Sequence, residues 1–454
     1  QPQRLARRGT WPLPGAATPV RAGDRMDTMH FRRLAGALVL LAACGGAGPS
    51  GPDPRPPQPP AVDELPLTGT EVPGMASYDR IIPALMKRWG IPGGAVAVVR
   101  DGRLVLARGY GWADVEAKAP VQPDALFRIA SVSKPVTAAA VLKLVEEGRL
   151  DLNARAYALR DDLAPPPGGV VDPRIREVTV RQLLYHAGGW DRDRSFDPMF
   201  RPEVAAQAVG APAPASAETV MRYMLGQPLD AEPGTRYAYS NFGYAVLGRV
   251  IEKVSGESYE AYVRRAVLAP AGVTRMRLGR SRVADRAPDE VRYYDGATAP
   301  SVFPGEGTVP LPYGGFYLEA MDAHGGWIAS AVDLLRFATA VDGSPTRPDV
   351  LGADAVRAMV AAPPAPLWSN SPMHYAMGWM VRPVEGNWWH DGSLPGTTSL
   401  LVRAGNGVSW AVVLNSRSTP RPGASLPAEL DAALWQALGQ VTAWPAHDLF
   451  GQYR

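Results

Sequence analysis

The chain has 454 residues, of which 46% are hydrophobic and 20% charged. That length holds roughly two to three domain equivalents, and that balance excludes a fibrous or disordered protein. The formal charge of +3 is uneven: residues 1–43 hold seven arginines and two aspartates, a net of +5, so the remainder carries −2 and offers no basic footprint for nucleic acid.

The stretch MHFRRLAGALVLLAACGG places Arg32 and Arg33 before an apolar run, Leu34 to Ala43, that ends at Cys44. This is the layout of a secretory signal peptide, and the run is too short to span a bilayer. Leu41-Ala42-Ala43-Cys44 also resembles a bacterial lipobox, which implies cleavage before Cys44 and diacylation of its sulfur. The lipid would then anchor the protein to the cell envelope after export. Gly45, where an aspartate would suggest retention at the inner membrane, does not suggest it. Cys44 is the only cysteine, so no intrachain disulfide can form. Residues 1–25 precede the candidate start methionines Met26 and Met29 and read as an over-extended start, with 26–43 as the signal peptide. Residues 44–75 are rich in Pro and Gly and read as a tether, leaving 76–454 as the folded domain.

Residues 78–89 read as a helix with Ile81, Ile82, Leu85 and Met86 on one side. GGAVAVVRDGRLVLARGYG (93–111) reads as two strands around Asp101-Gly102, a strong hairpin signal. The helix after Ser131 is apolar nearly all round, which predicts burial, and Gly148 is a natural stop. From about 150 to 320 the pattern is helices and long Pro-rich loops. The chain then turns β-rich again through NWWHDG and TTSLLVRAGNGVSWAVVLNS, and closes on an amphipathic helix at 426–441. The expected fold class is α+β: one antiparallel sheet built from both chain ends and flanked by the terminal helices, plus a mostly helical lobe. A cleft between the two is the natural place for a site, shaped by the loops at 160–175, 190–217 and 280–320.

Only five of the 47 Lys and Arg residues are lysines, and one of them, Lys134, lies three residues after Ser131. That spacing puts both side chains on one helical face. A serine hydroxyl is a poor nucleophile until a base takes its proton. A lysine can be that base only when neutral, which needs burial or nearby positive charge, and arginine cannot serve. Alone, the pair reads equally well as a capping serine with a solvated lysine. Tyr239-Ser240-Asn241 precedes a second apolar helix and offers a phenol and an amide; a packing tyrosine and a capping asparagine are the plainer reading. His390-Asp391-Gly392 stands ahead of a late strand. H-x-G also occurs at His186 and His324, and only the 390 copy lies on a strand expected to border the cleft.

Together these motifs resemble the serine β-lactamase and penicillin-binding-protein superfamily. The closest branch holds class C β-lactamases, family VIII carboxylesterases, D-aminopeptidases and DD-peptidases. The resemblance covers about 78–440 and includes the phrases VQPDALFRIASVSKPVTA, VTVRQLLYHAGGW, AYSNFGYAVLGRVIE, HGGWIASAVDLLRFA and YAMGWMV, with the three motifs in the family's order. It implies that Ser131 is the acylated nucleophile, that Lys134 and Tyr239 form the acid–base pair, and that Asn241 supports them. The family's third motif would fall on His390-Asp391-Gly392, with His390, Gly392 and Ser393 supporting the substrate and the Ser131 and Ser393 amides forming an oxyanion hole. The departure is at that motif. Its usual K-T-G lysine, which helps bind the carboxylate of β-lactams, is His390 here. A mostly neutral histidine beside an aspartate is a weaker anion anchor.

The resulting expectation is a serine hydrolase acting through an acyl-enzyme, esterase-like on small ester or amide substrates. A D-amino-acid peptidase or DD-carboxypeptidase, a weak β-lactamase, and a catalytically weak envelope binding protein stand as alternatives. No G-x-S-x-G elbow, H-E-x-x-H or clustered His/Cys set occurs, so neither an α/β-hydrolase nor a metal or other cofactor is expected. His186 reads as a structural hydrogen-bonder, and Trp112, Trp190, Trp379, Trp388 and Trp389 mostly as core.

Overall fold

The computed structural model describes residues 65–368, 371–417 and 424–453; the leader, Cys44 and the tether up to residue 64 lie outside the described residues. Both ends of this body build one nine-stranded sheet. The first end supplies β1 (Leu67–Thr68), β2 (Gly93–Arg100) and β3 (Arg103–Asp114). The second supplies β4 (His374–Tyr375), β5 (Met380–Arg382), β6 (Asn387–Leu394), β7 (Thr397–Arg403) and β8 (Val408–Leu414). They lie in the order β1-β3-β2-β8-β7-β6-β5-β4, with Ala119–Pro120 paired to β3 off this path. The two ends join where β2 runs antiparallel to β8, with Gly94 opposite Leu414 and Arg100 opposite Val408.

Local chemistry sets the hairpins. Asp101 and Gly102 both have positive φ, 48° and 75°, the two-residue turn whose twist matches that of paired strands. Among the described residues the four longest helices are α1 (Ala76–Trp89), α2 (Ser133–Glu146), α3 (Asn241–Ser255) and α4 (Leu426–Gly439). The central strands are buried on both faces. Ala95, Ala97, Val99, Ala411 and Val413 join the core of the helical lobe, while Val96, Val98, Trp410 and Val412 join a second core with residues of α1 and α4. α1 is also clamped to β3: Arg108 donates to Asp79 Oδ1 and Oδ2 at 3.0 and 2.9 Å, and the Tyr110 hydroxyl to Oδ1 at 3.0 Å.

The α+β architecture is as expected, with two differences. The fold starts ahead of residue 76: β1 pairs with β3, and Leu65, Val72 and Met75 are buried, so part of the expected tether belongs to the sheet. Two strand residues are too few to show a period, and their pairing is with residues about forty positions away. The lobe also holds a three-stranded sheet of Phe127–Arg128, Trp327–Ala329 and Arg277–Leu278, again from segments too short to be read locally. Among the described residues no helix is long and apolar enough to cross a membrane.

Candidate active site

Ser131 sits on a 3-10 turn, Ala130–Val132, that leads into α2. The residue before it, Ala130, has φ +47°, a left-handed conformation that costs a residue with a Cβ. That kink is held from two sides. The Ile129 amide donates to the Trp327 carbonyl at 3.0 Å, and the Ser399 hydroxyl donates to the Ile129 carbonyl at 2.7 Å. Ser131 remains partly accessible, whereas Lys134, a turn further on, is 0% exposed.

Among the described residues the lysine Nζ has three hydrogen-bonding partners: Ser131 Oγ at 3.0 Å, Asn241 Oδ1 at 2.9 Å and the His324 carbonyl at 3.0 Å. Two of these are obligate acceptors. A neutral amine has two N–H groups and one lone pair, so donating to both carbonyl oxygens leaves the lone pair facing the serine hydroxyl. Burial, then the charge of Arg192, pushes the Lys134 amine well below its usual range, against the pull of Asp197 and Asp391. Loss of water around the Tyr239 phenol raises its pKa, against the opposing pull of the Ser131 hydroxyl, so it keeps its proton.

Asn241 is the first residue of α3, and the helix cap is Ser240, whose hydroxyl accepts from the Gly243 amide at 3.0 Å. That frees the Asn241 amide, which accepts from Lys134 and donates to Asp197 Oδ2 at 2.7 Å. Asp197 is itself 4.0 Å from Arg192. Lys134 Nζ and Arg192 Cζ both lie 4.7 Å from the centroid of the Tyr239 ring.

β6 borders the other side. Its pairing with β5 ends at Trp389, so His390 to Leu394 present a free edge. A Cβ on Gly392 would lie 2.3 Å from Ser399 Oγ, 2.4 Å from the Ile129 carbonyl and 3.1 Å from the Ser131 amide, so only glycine lets the strand approach the nucleophile. Burial lowers the His390 pKa to about 4, with Asp391 opposing the shift. Its Nδ1 lies 2.6 Å from the Asp391 carbonyl and its Nε2 3.1 Å from the Tyr375 hydroxyl, which fits a neutral ring donating from Nδ1. Asp391 and Ser393 are exposed on the same strand.

Ser131, Lys134, Tyr239 and Asn241 are thus brought together, with His390 and Gly392 alongside. The other two H-x-G copies arrive as well, against the expectation that only the late one borders the cleft. His324 gives its carbonyl to Lys134. The His186 ring packs 4.3 Å from Tyr239 and 4.4 Å from Tyr375, and its Nδ1 accepts from the Ser240 amide at 3.1 Å. A backbone acceptor leaves no mark in a motif, so His324 could not have been found that way. Arg192 and Asp197 were missed too, apart from the loop that carries them. No group of side chains among the described residues could hold a metal ion.

An accessible serine with a desolvated amine and a phenol at its hydroxyl defines an acyl-transfer site of the serine-hydrolase kind. The chain belongs to the beta-lactamase family, whose model matches residues 78–434. Among curated proteins it is 30% identical over 199 residues to the protein flp of Staphylococcus aureus, a match spanning 43% of this chain and 36% of that one, so it spans about a third of that relative's length. It is 29% identical over 239 residues to a putative fimbrial assembly protein FimD of Dichelobacter nodosus, covering 51% of this chain and 52% of the relative. Among solved structures, the octameric penicillin-binding protein homologue from Pyrococcus abyssi superposes with a TM-score of 0.60 at 26% identity, over 80% of this chain and 77% of the other. The D-amino acid amidase of Ochrobactrum anthropi gives 0.61 at 22% identity, over 82% and 99%. A D-alanine carboxypeptidase from Burkholderia cenocepacia gives 0.59 at 21%, over 81% and 98%. The last two are likenesses of fold.

Proposed function

We propose that the protein hydrolyses small ester or amide substrates through an acyl-enzyme on Ser131. The observation that carries this reading is the saturation of Lys134: with two carbonyl oxygens taking its N–H groups, the neutral amine offers its lone pair to the Ser131 hydroxyl at 3.0 Å. Ser131 Oγ attacks the acyl carbon as its proton passes to Lys134. The backbone amides of Ser131 and Ser393 take the developing oxyanion, a contribution of about 3–4 kcal/mol per donor. Tyr239 then protonates the leaving oxygen or nitrogen, and Lys134 returns the proton to the phenol. Water attacks the acyl-Ser131 ester by the same route in reverse, with Tyr239 and Lys134 accepting its proton and returning one to Ser131.

The third motif favours substrates without a carboxylate beside the scissile bond. The buried His390 is neutral near pH 7, and the exposed Asp391 next to it adds negative charge at the free edge of β6. β-Lactams, which carry a carboxylate at that place, fit this edge poorly. Amides of amino acids lacking a free carboxylate fit it, in keeping with the amidase among the structural neighbours. The test is p-nitrophenyl butyrate hydrolysis by the full chain beside its Ser131→Ala variant. Turnover that falls at least about 1,000-fold with Ser131 supports the reading. Turnover that survives Ser131→Ala, or rapid turnover of a chromogenic cephalosporin, overturns the mechanism or the substrate preference respectively.

We further propose export and lipid anchoring through Cys44, on the strength of the run from Arg32 to Cys44. A Cys44→Ser variant that stays in the membrane pellet of expressing bacteria would remove this proposal.

A further inference from the structure

Resting on the acyl-transfer reading above, we infer that Arg192 is a positioning residue for the acid–base pair: its guanidinium keeps Lys134 in the neutral form that attack by Ser131 requires. The geometry is a closed circuit around one ring. Lys134 Nζ and Arg192 Cζ each lie 4.7 Å from the Tyr239 ring centroid, so the two charges are separated by no more than twice that distance. Lys134 donates to Asn241, Asn241 donates to Asp197, and Asp197 Oδ2 faces Arg192 Nη1 at 4.0 Å. Arg192 also lies 3.9 Å from Asp193, and its side chain is 40% exposed. An exposed guanidinium stays charged at any working pH, whereas a buried ammonium beside it gives way.

The groups around Lys134 show why this cation matters. His186, His324 and His390 are each held neutral by burial, and Tyr239 and Tyr244 keep their protons. Asp197 and Asp391 both favour a protonated lysine, and among the described residues Arg192 is the cation that opposes them.

With five lysines in the chain, the test can be direct. The full chain is labelled at lysine Cε with carbon-13, the Lys134 resonance is identified by its loss in Lys134→Arg, and its titration is followed by NMR. Arg192→Gln is expected to raise the Lys134 pKa by about one unit, the size of a Coulomb interaction across this separation at a partly exposed site. Arg192→Lys is expected to restore most of it. Asp197→Asn is expected to move it down, a sign that general loosening of the loop cannot produce. The acidic limb of kcat/KM for p-nitrophenyl butyrate is expected to move with the resonance. A Lys134 titration unmoved by Arg192→Gln overturns the inference. If the titration moves but no Ser131-dependent turnover exists, the Arg192 effect stands and the proposed function falls.

Discussion

At the scale of single residues, the site turns on which cation can lose a proton. Lys134→Arg keeps the positive charge but removes that ability. We expect kcat/KM to fall by at least about 1,000-fold with the far-ultraviolet circular dichroism unchanged; a loss below tenfold would place the base elsewhere. The pH profile has a defined sense. Activity rises as pH climbs through the lowered Lys134 pKa, and the raised Tyr239 pKa leaves no alkaline limb from the phenol below about 10. Stability has a sign too. Between the folded pKa of Lys134 and about 10.4 the unfolded chain binds the proton that the folded one has released, so stability rises with pH across that window. Urea titrations of wild type and Lys134→Met should therefore show the wild type gaining on the variant as pH is raised. A constant gap would mean that the buried lysine is charged.

At the scale of elements, the site depends on how closely β6 runs past the turn at Ser131. Gly392→Ala would put a methyl 2.4 Å from the backbone oxygen of Ile129, which cannot rotate away, so strand or turn must shift. A displacement of about 1 Å at a nucleophile costs on the order of 100-fold in rate. We expect that loss in kcat/KM with a retained cooperative melt; near-normal turnover in a Gly392→Ala protein would show that β6 does not set the position of Ser131. The same elements explain what motifs could reveal. Ser131, Lys134, Tyr239 and Asn241 were legible because their motifs, taken together and in order, resemble those of one family; each pair alone read as well as caps and packing. The kink at Ala130, the His324 carbonyl and the Ser399 hydroxyl that braces Ile129 were not. Each acts through backbone geometry or across at least 190 positions of chain.

At the scale of the molecule, the sheet is closed by its ends. β2 needs β8, and the face they share is covered by α1 and α4, where Trp410 meets Trp435 at 4.7 Å and Leu430 and Leu434 are buried. The segment after α4 also serves β3, where the Leu104 amide donates to Asp448 Oδ1 at 3.0 Å, and the turn ahead of α1, where the Thr442 amide donates to the Gly74 carbonyl at 2.9 Å. Deleting 426–453 would uncover a hydrophobic sheet face and the edge of β3. We expect no cooperative thermal transition from that variant by circular dichroism. A sharp melt near the wild-type midpoint would mean that the sheet is stable without its closing helix.

The sequence by itself determined the pieces whose signal is local: the hairpin at Asp101-Gly102, the buried helix α2, the closing helix, and the S-x-x-K, Y-x-N and H-x-G motifs. Each follows from a turn chemistry, a hydrophobic period or a reactive pair within a few residues. Tertiary structure decided the rest. It joined β2 to β8, drew β1 out of the expected tether, and brought three histidines and Arg192 around one lysine. The physical reason is that a pKa depends on what surrounds a charge in space. By spacing alone Lys134 reads equally well as a solvated lysine, and it becomes a base once its amine is taken out of water and set beside a fixed cation.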